Sequence, residues 1–146
     1  MIPVLDSPRP VVRFVEFGLW QGAKTFGPAT GIGFATPEAG LVAGVVYHNF
    51  DPDEGRIELS GYAERADWLS RSNLREIFHY PFEQVGVRIV IARHSERNVR
   101  AVRLWDRLGA VQHHVPEIRA RGEAEIIAVL DREAWQNSKF FGEKNG

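Results

Sequence analysis

The chain contains no cysteine. That excludes a disulfide-stapled scaffold, a thiol nucleophile and a cysteine-ligated metal site, and it is compatible with a reducing cytoplasm. An excess of one charge is also missing. Eighteen Lys and Arg against nineteen Asp and Glu leave a net charge of −1, so no global pull toward nucleic acid or an anionic membrane is expected. No apolar run approaches the ~20 residues that span a bilayer. The start, MIPVLDSPRP, lacks a basic stretch followed by an apolar core, so no signal peptide is expected. Internal repeats and low-complexity tracts are absent. What remains is an ordinary globular balance, 146 residues of which 44% are hydrophobic and 25% charged, suited to a single domain with one core. A domain over 1–146 is expected, with residues 1–10 as an extended, proline-rich lead-in and Gly142 to Gly146 as a loose polar tail.

The stretch from Glu64 to Gln84 organises the rest. Leu74, Ile77, Phe78, Phe82 and Val85 form one apolar stripe at helical period. Ser70 or Ser72 can cap the start, and Gly86 suits a left-handed stop. Pro81 should kink this helix or loosen its last turn, because it has no N–H to give. A strand-like run precedes it (Arg56 to Ala63) and another follows (Val87 to Arg93). Together they predict a βαβ unit with parallel strands. The loop at the head of the helix then offers free backbone N–H groups and the positive dipole end to a phosphate.

Before this unit, Val11 to Lys24 reads as a helix weakened by its glycines, by ~1 kcal/mol each. Phe26 to Ala29 is a loop. Ile32 to Ala35 and Leu41 to Phe50 form a hairpin around Thr36, Pro37, Glu38 and Gly40. The second strand is apolar almost throughout, as for a strand covered on both faces. On Arg56 to Ala63, Ile57 and Leu59 share one face, and Glu58, Ser60 and Tyr62 the other. After it come the loop HSERN, an Asn98-capped helix from Val99 to Leu108 closed by Gly109, strands at Val111 to Ile118 and Ala124 to Leu130, and a short helix from Asp131 to Trp135. The fold class is α/β or α+β, a mixed, mostly antiparallel sheet with a central βαβ unit and helices on both faces.

Several of these segments, taken in order, resemble the GNAT N-acetyltransferase superfamily, most closely its ribosomal-protein and small phage-encoded branches. The carriers are YPFEQVGVRIV (Tyr80 to Val90), the N-x-x-A/S…L-G-F pattern met by Asn98, Ala101, Leu108 and Gly109 with Ala110 in place of Phe, LVAGVVYHNF, and the terminal GEAEIIAVLDREAW. The resemblance spans roughly residues 30 to 135. It implies acetyl-coenzyme A as cofactor, held where the fourth and fifth strands splay. Ser60, Gly61 and Tyr62 would line the pantetheine arm. The loop Arg65 to Ser72 (Arg65, Trp68, Leu69, Ser70, Arg71, Ser72) would cradle the pyrophosphate, and Asn98 and Ala101 would lie beside the cofactor. The acceptor implied is an amine on a small molecule or a protein, in the cytoplasm of a bacterial or phage-infected cell, and a homodimer is a common arrangement.

Two positions depart from the family pattern. Trp68 and Ser70 stand where the phosphate loop usually has small residues, so Arg71 or Arg65 would have to supply charge to the phosphates. Trp105 stands where many members carry a tyrosine acid, and an indole has no usefully acidic proton. For the base, Glu58 and then His48 are the candidates, each weighed against an ordinary strand residue. His113 and His114 are strand neighbours that point to opposite faces and would not chelate one ion, so no metal is expected. Arg88, Arg93, Arg97, Arg100, Arg103 and Arg107 form either a cofactor-facing patch or a solvated face. The four tryptophans read as core or cleft wall. A GNAT-like module that binds a protein without turnover, and a plain phosphate- or nucleotide-binding domain, remain as alternatives.

Overall fold

The structure, a computed structural model, describes residues 1–140; the expected polar tail lies outside them. Seven strands form one sheet in the order β1-β2-β3-β4-β5-β7-β6. They are β1 (Ile2–Val4), β2 (Ala29–Thr36), β3 (Gly40–Asp51), β4 (Arg56–Ala63), β5 (Ile89–Ser95), β6 (Val111–Ala120) and β7 (Glu123–Asp131). Four α-helices accompany them, α1 (Pro8–Trp20), α2 (Arg71–His79), α3 (Val99–Leu108) and α4 (Arg132–Asn137). All neighbouring strands pair antiparallel except β4 and β5, the two strands of the expected βαβ unit, which pair parallel.

Several boundaries move, each for a local reason. The lead-in is not merely extended, because Ile2–Val4 adds a strand to β2. The first helix runs from Pro8 to Trp20 rather than Val11 to Lys24. A proline in its first turn costs no hydrogen bond, and Gln21 turns left-handed at φ 48° to end it. Ala29 belongs to β2 rather than to the preceding loop. Val87 does not open β5, since its N–H closes the preceding turn onto the Pro81 carbonyl. His94 and Ser95 belong to β5, not to the loop after it. The turn between β6 and β7 tightens to Arg121 and Gly122, with Gly122 at φ +76°. The last helix starts one residue later, because Asp131 is its cap and accepts from the Ala134 N–H at 2.7 Å.

The centre is as the sequence predicts. Ser70 caps α2 by accepting from the Asn73 N–H, and Leu74, Ile77, Phe78 and Phe82 are buried. Beyond His79 the chain widens into a π-wound turn, Tyr80–Val85, that ends at left-handed Gly86. Pro81 has no N–H for the Ile77 carbonyl four residues back. The buried Tyr47 hydroxyl donates to that carbonyl instead, at 2.5 Å. Burial raises the Tyr47 pKa well above its ordinary value, so the donor proton stays in place.

The two faces of the sheet are covered differently. On one, α1 packs against β2, β3 and β4. The glycines beneath it, Gly31, Gly33 and Gly44, let Val11 and Val15 approach the strands closely. On the other, Ile57, Leu59, Val90, Ala92, Ala128 and Leu130 meet Leu74, Phe78, Trp105, Leu108 and Trp135 from the helices. β3 is buried from Val42 to His48, as its unbroken apolar run predicts.

Candidate active site

The site grows from the one parallel pair. β4 and β5 pair only at Arg56–Ile89, Ile57–Val90 and Glu58–Ile91. Beyond that point β4 stays paired with β3 as far as Ala63, and β5 with β7 as far as Ser95. The two strands therefore part, and Leu59 to Ala63 of β4 have no strand on the β5 side. Backbone groups on such a flank need other partners. Because the strands are parallel, their carboxyl ends lie together at the wide end of the opening. The loops into α2 and α3 leave from there, so both helix N-termini flank it. This is where open α/β sheets place ligands, and helix N-termini favour anions.

The loop into α2 is held from three directions. Arg65 pairs with Asp67 at 2.7 Å. The Asn73 amide donates to the Trp68 carbonyl at 2.6 Å. Arg100, from the first turn of α3, donates to the Ala66 carbonyl at 3.2 Å and so ties the two sides of the mouth together. Trp68 does not crowd the loop backbone. Its ring turns inward over β4, where the terminal ring carbon would stand 3.5 Å from a Cβ at Gly61, and its centroid lies 6.1 Å from that of Phe34. The Trp68 side chain thus packs on the sheet, with Leu69 beside it against the core. Arg71 and Ser72 form the exposed first turn of α2. Asn98 caps α3 by accepting from the Ala101 N–H at 3.2 Å.

Glu58 occupies the last paired position, at the apex of the opening. Its side chain is 17% exposed, and its carboxylate lies 3.9 Å from His48 Nε2. His48, opposite it on β3, is buried, and Nε2 also meets Ser60 Oγ at 2.9 Å. Phe26 covers the imidazole at 4.6 Å between centroids, and Trp20 packs tilted against Phe26 at 4.7 Å. Burial lowers the His48 pKa, and the Glu58 charge partly offsets this. The arrangement is a carboxylate and a neutral imidazole side by side at the apex, a pair suited to moving protons.

The structure brings Glu58, His48 and Ser60 together. Tyr62 shares their face, but its ring is spent elsewhere. It packs edge-on against Phe14 at 5.7 Å and fills the space beneath Gly18. Its backbone lies on the unpaired flank of β4. Trp105 is 5% exposed and packs edge-on against Phe78 at 5.5 Å, so this position lies in the core rather than at the cleft. His113 and His114 occupy adjacent positions on β6, and His114 meets Glu96 at 3.2 Å. Of the arginine run, Arg88 reaches the Glu54 carbonyl, Arg93 lies 3.6 Å from Glu125 and Arg97 3.6 Å from Glu123. Asn49 escaped the sequence reading. Its amide donates to Glu58 Oε1 at 2.9 Å. An asparagine just before a turn was the one available signal, since Asn tolerates left-handed backbone.

No family model and no curated protein matches the chain. Solved structures do. A mutant spermidine N-acetyltransferase from Vibrio cholerae aligns over 83% of this chain and 74% of its own, with TM-score 0.65 at 13% identity. A dodecameric structure of the spermidine N-acetyltransferase from Vibrio cholerae aligns over 76% and 69%, with TM-score 0.65 at 14% identity. A probable acetyltransferase aligns over 73% and 63%, with TM-score 0.61 at 15% identity. The fold is that of the GNAT acetyltransferases.

Proposed function

We propose that this chain is a GNAT N-acetyltransferase that uses acetyl-coenzyme A and acetylates a primary amine of a protein or small molecule. The observation that carries the reading is the parting of β4 and β5 immediately after Glu58. The free flank of Leu59 to Ala63, which includes Ser60, Gly61 and Tyr62, offers backbone partners to an amide-bearing arm. The first turn of α2, with Ser72 and the Arg71 charge, suits the pyrophosphate, and Asn98 and Ala101 border the same mouth. Arg65 pairs with Asp67 beside it. The cofactor supplies the activated acetyl group. Glu58 takes the proton from the attacking amine, and His48 with Ser60 offers a second proton-transfer group. Kinship with ribosomal-type and phage-encoded members is part of the same proposal. Among the described residues no helix is long and apolar enough to cross a membrane; a cytoplasmic setting and a homodimer complete the reading.

A second reading, a GNAT-like module that binds a protein without turnover, draws on the burial of Trp105, which leaves its position without an acid. Calorimetry with acetyl-coenzyme A separates the two, with Arg71→Ala and Asn98→Ala alongside. Micromolar binding weakened by both changes supports the enzyme, and Glu58→Gln should then keep binding while lowering kcat by about 10²- to 10⁴-fold. No binding at millimolar cofactor overturns it.

A further inference from the structure

β3 does not run regularly into its turn. Its pairing with β4 slips between His48 and Asp51, and within that bulge Asn49 sits at φ 50°, left-handed backbone. Bulges re-aim side chains, and non-glycine residues held left-handed cluster at functional sites. Glycine would adopt this backbone at no steric cost. What asparagine adds is its amide, and the amide goes to Glu58 Oε1 at 2.9 Å. The other carboxylate oxygen lies 3.9 Å from His48 Nε2. Asn49 is itself exposed, so burial does not account for the residue type.

We propose that Asn49 is a positioning residue, placed by the β3 bulge to hold the Glu58 carboxylate at the apex of the β4–β5 opening beside His48. The inference rests on the reading of Glu58 as the base. It acts through orientation. A base must keep its oxygen in line with the proton it removes, and a carboxylate with one oxygen fixed cannot turn about its last bonds. The groups facing this carboxylate are then accounted for. Asn49 holds one oxygen, the His48 imidazole flanks the other, and Ser60 and Phe26 hold the imidazole in turn.

The variant that isolates the amide is Asn49→Gly, which keeps the backbone and deletes the hydrogen bond. Asn49→Asp keeps the shape and replaces the donor with an acceptor. Two readouts separate this inference from the reading beneath it. The first is the His48 titration followed by NMR, which needs no acceptor. With the carboxylate released, His48 in Asn49→Gly should titrate below wild type, in the direction set by Glu58→Gln, with Tm not lowered. The second is the initial rate with acetyl-coenzyme A and spermidine or a short peptide with a free N-terminus as probes. Both Asn49 variants should lose about tenfold in kcat with the cofactor KM unchanged, the scale of one orienting hydrogen bond. An unchanged His48 titration in Asn49→Gly overturns the clamp. A shifted titration with Glu58→Gln fully active upholds the clamp and overturns the base.

Discussion

Adding a single methyl group at position 18 tests the packing that holds α1 to the sheet. Gly18 lies in α1, where alanine is the better residue by about 1 kcal/mol on helix propensity alone. The structure reverses that sign. A Cβ there would sit 2.2 Å from Cδ2 of Tyr62 and 2.4 Å from both Cε2 and Cγ. These are inner ring atoms, not the free end of a flexible chain. The ring is wedged against Phe14 on one side and has Gly44 opposite it on β3. Overpacking of this kind costs about 3 kcal/mol, so Gly18→Ala should be net destabilising by about 2 kcal/mol. For a domain of this size that is a Tm lower by roughly 4–8 °C. The control reverses the sign again. In a Tyr62→Ala background the clash is gone, and Gly18→Ala should stabilise by about 1 kcal/mol. Urea unfolding of the four proteins measures both. A stabilising Gly18→Ala in the wild-type background would refute the described seat of α1. The site depends on that seat, because α1 leads into the loop whose Phe26 covers His48.

Two further predictions follow from the same geometry. Tyr47→Phe removes the hydroxyl that donates to the Ile77 carbonyl, and leaving a buried acceptor short should cost about 1–3 kcal/mol by chemical denaturation; an unchanged midpoint would mean that the π-wound turn satisfies itself. His48 and His94 are both held below their ordinary pKa of 6.5, by burial first in each case. The unfolded chain then binds more protons than the folded one between the lowered values and 6.5, so stability rises with pH across that window. It should be undiminished above 6.5 and fall as pH drops below it, read as Tm at pH 7.5 against 5.5. His48→Gln and His94→Gln should each flatten the drop, and a drop of unchanged size in both would count against the assignment.

Much of this fold was legible in order and type. The β4 boundaries, the α2 stripe, the caps at Ser70 and Asn98, and the left-handed stops at Gly86 and Gly109 all follow from local chemistry, and the structure has them. Local chemistry is available to a sequence because its partners lie within a turn or two. Glu58 was also legible as a candidate, since alternation alone puts it on the polar face of its strand.

The rest depends on residues far apart in the chain. That β4 and β5 part after Glu58 is a property of two strands separated by a whole helix. That the Trp68 ring packs over Gly61 and beside Phe34 joins three separate elements. That the Tyr62 ring packs beneath Gly18 is decided by a helix more than forty residues earlier in the chain. Trp105 looked like a failed acid until the core was found to need it. Asn49 gained a role only when a bulge turned its amide toward Glu58. Periodicity reports which face a residue takes, but not which distant side chain already fills the space there. That is settled by close packing between elements, where a contact forms or fails over a few tenths of an ångström.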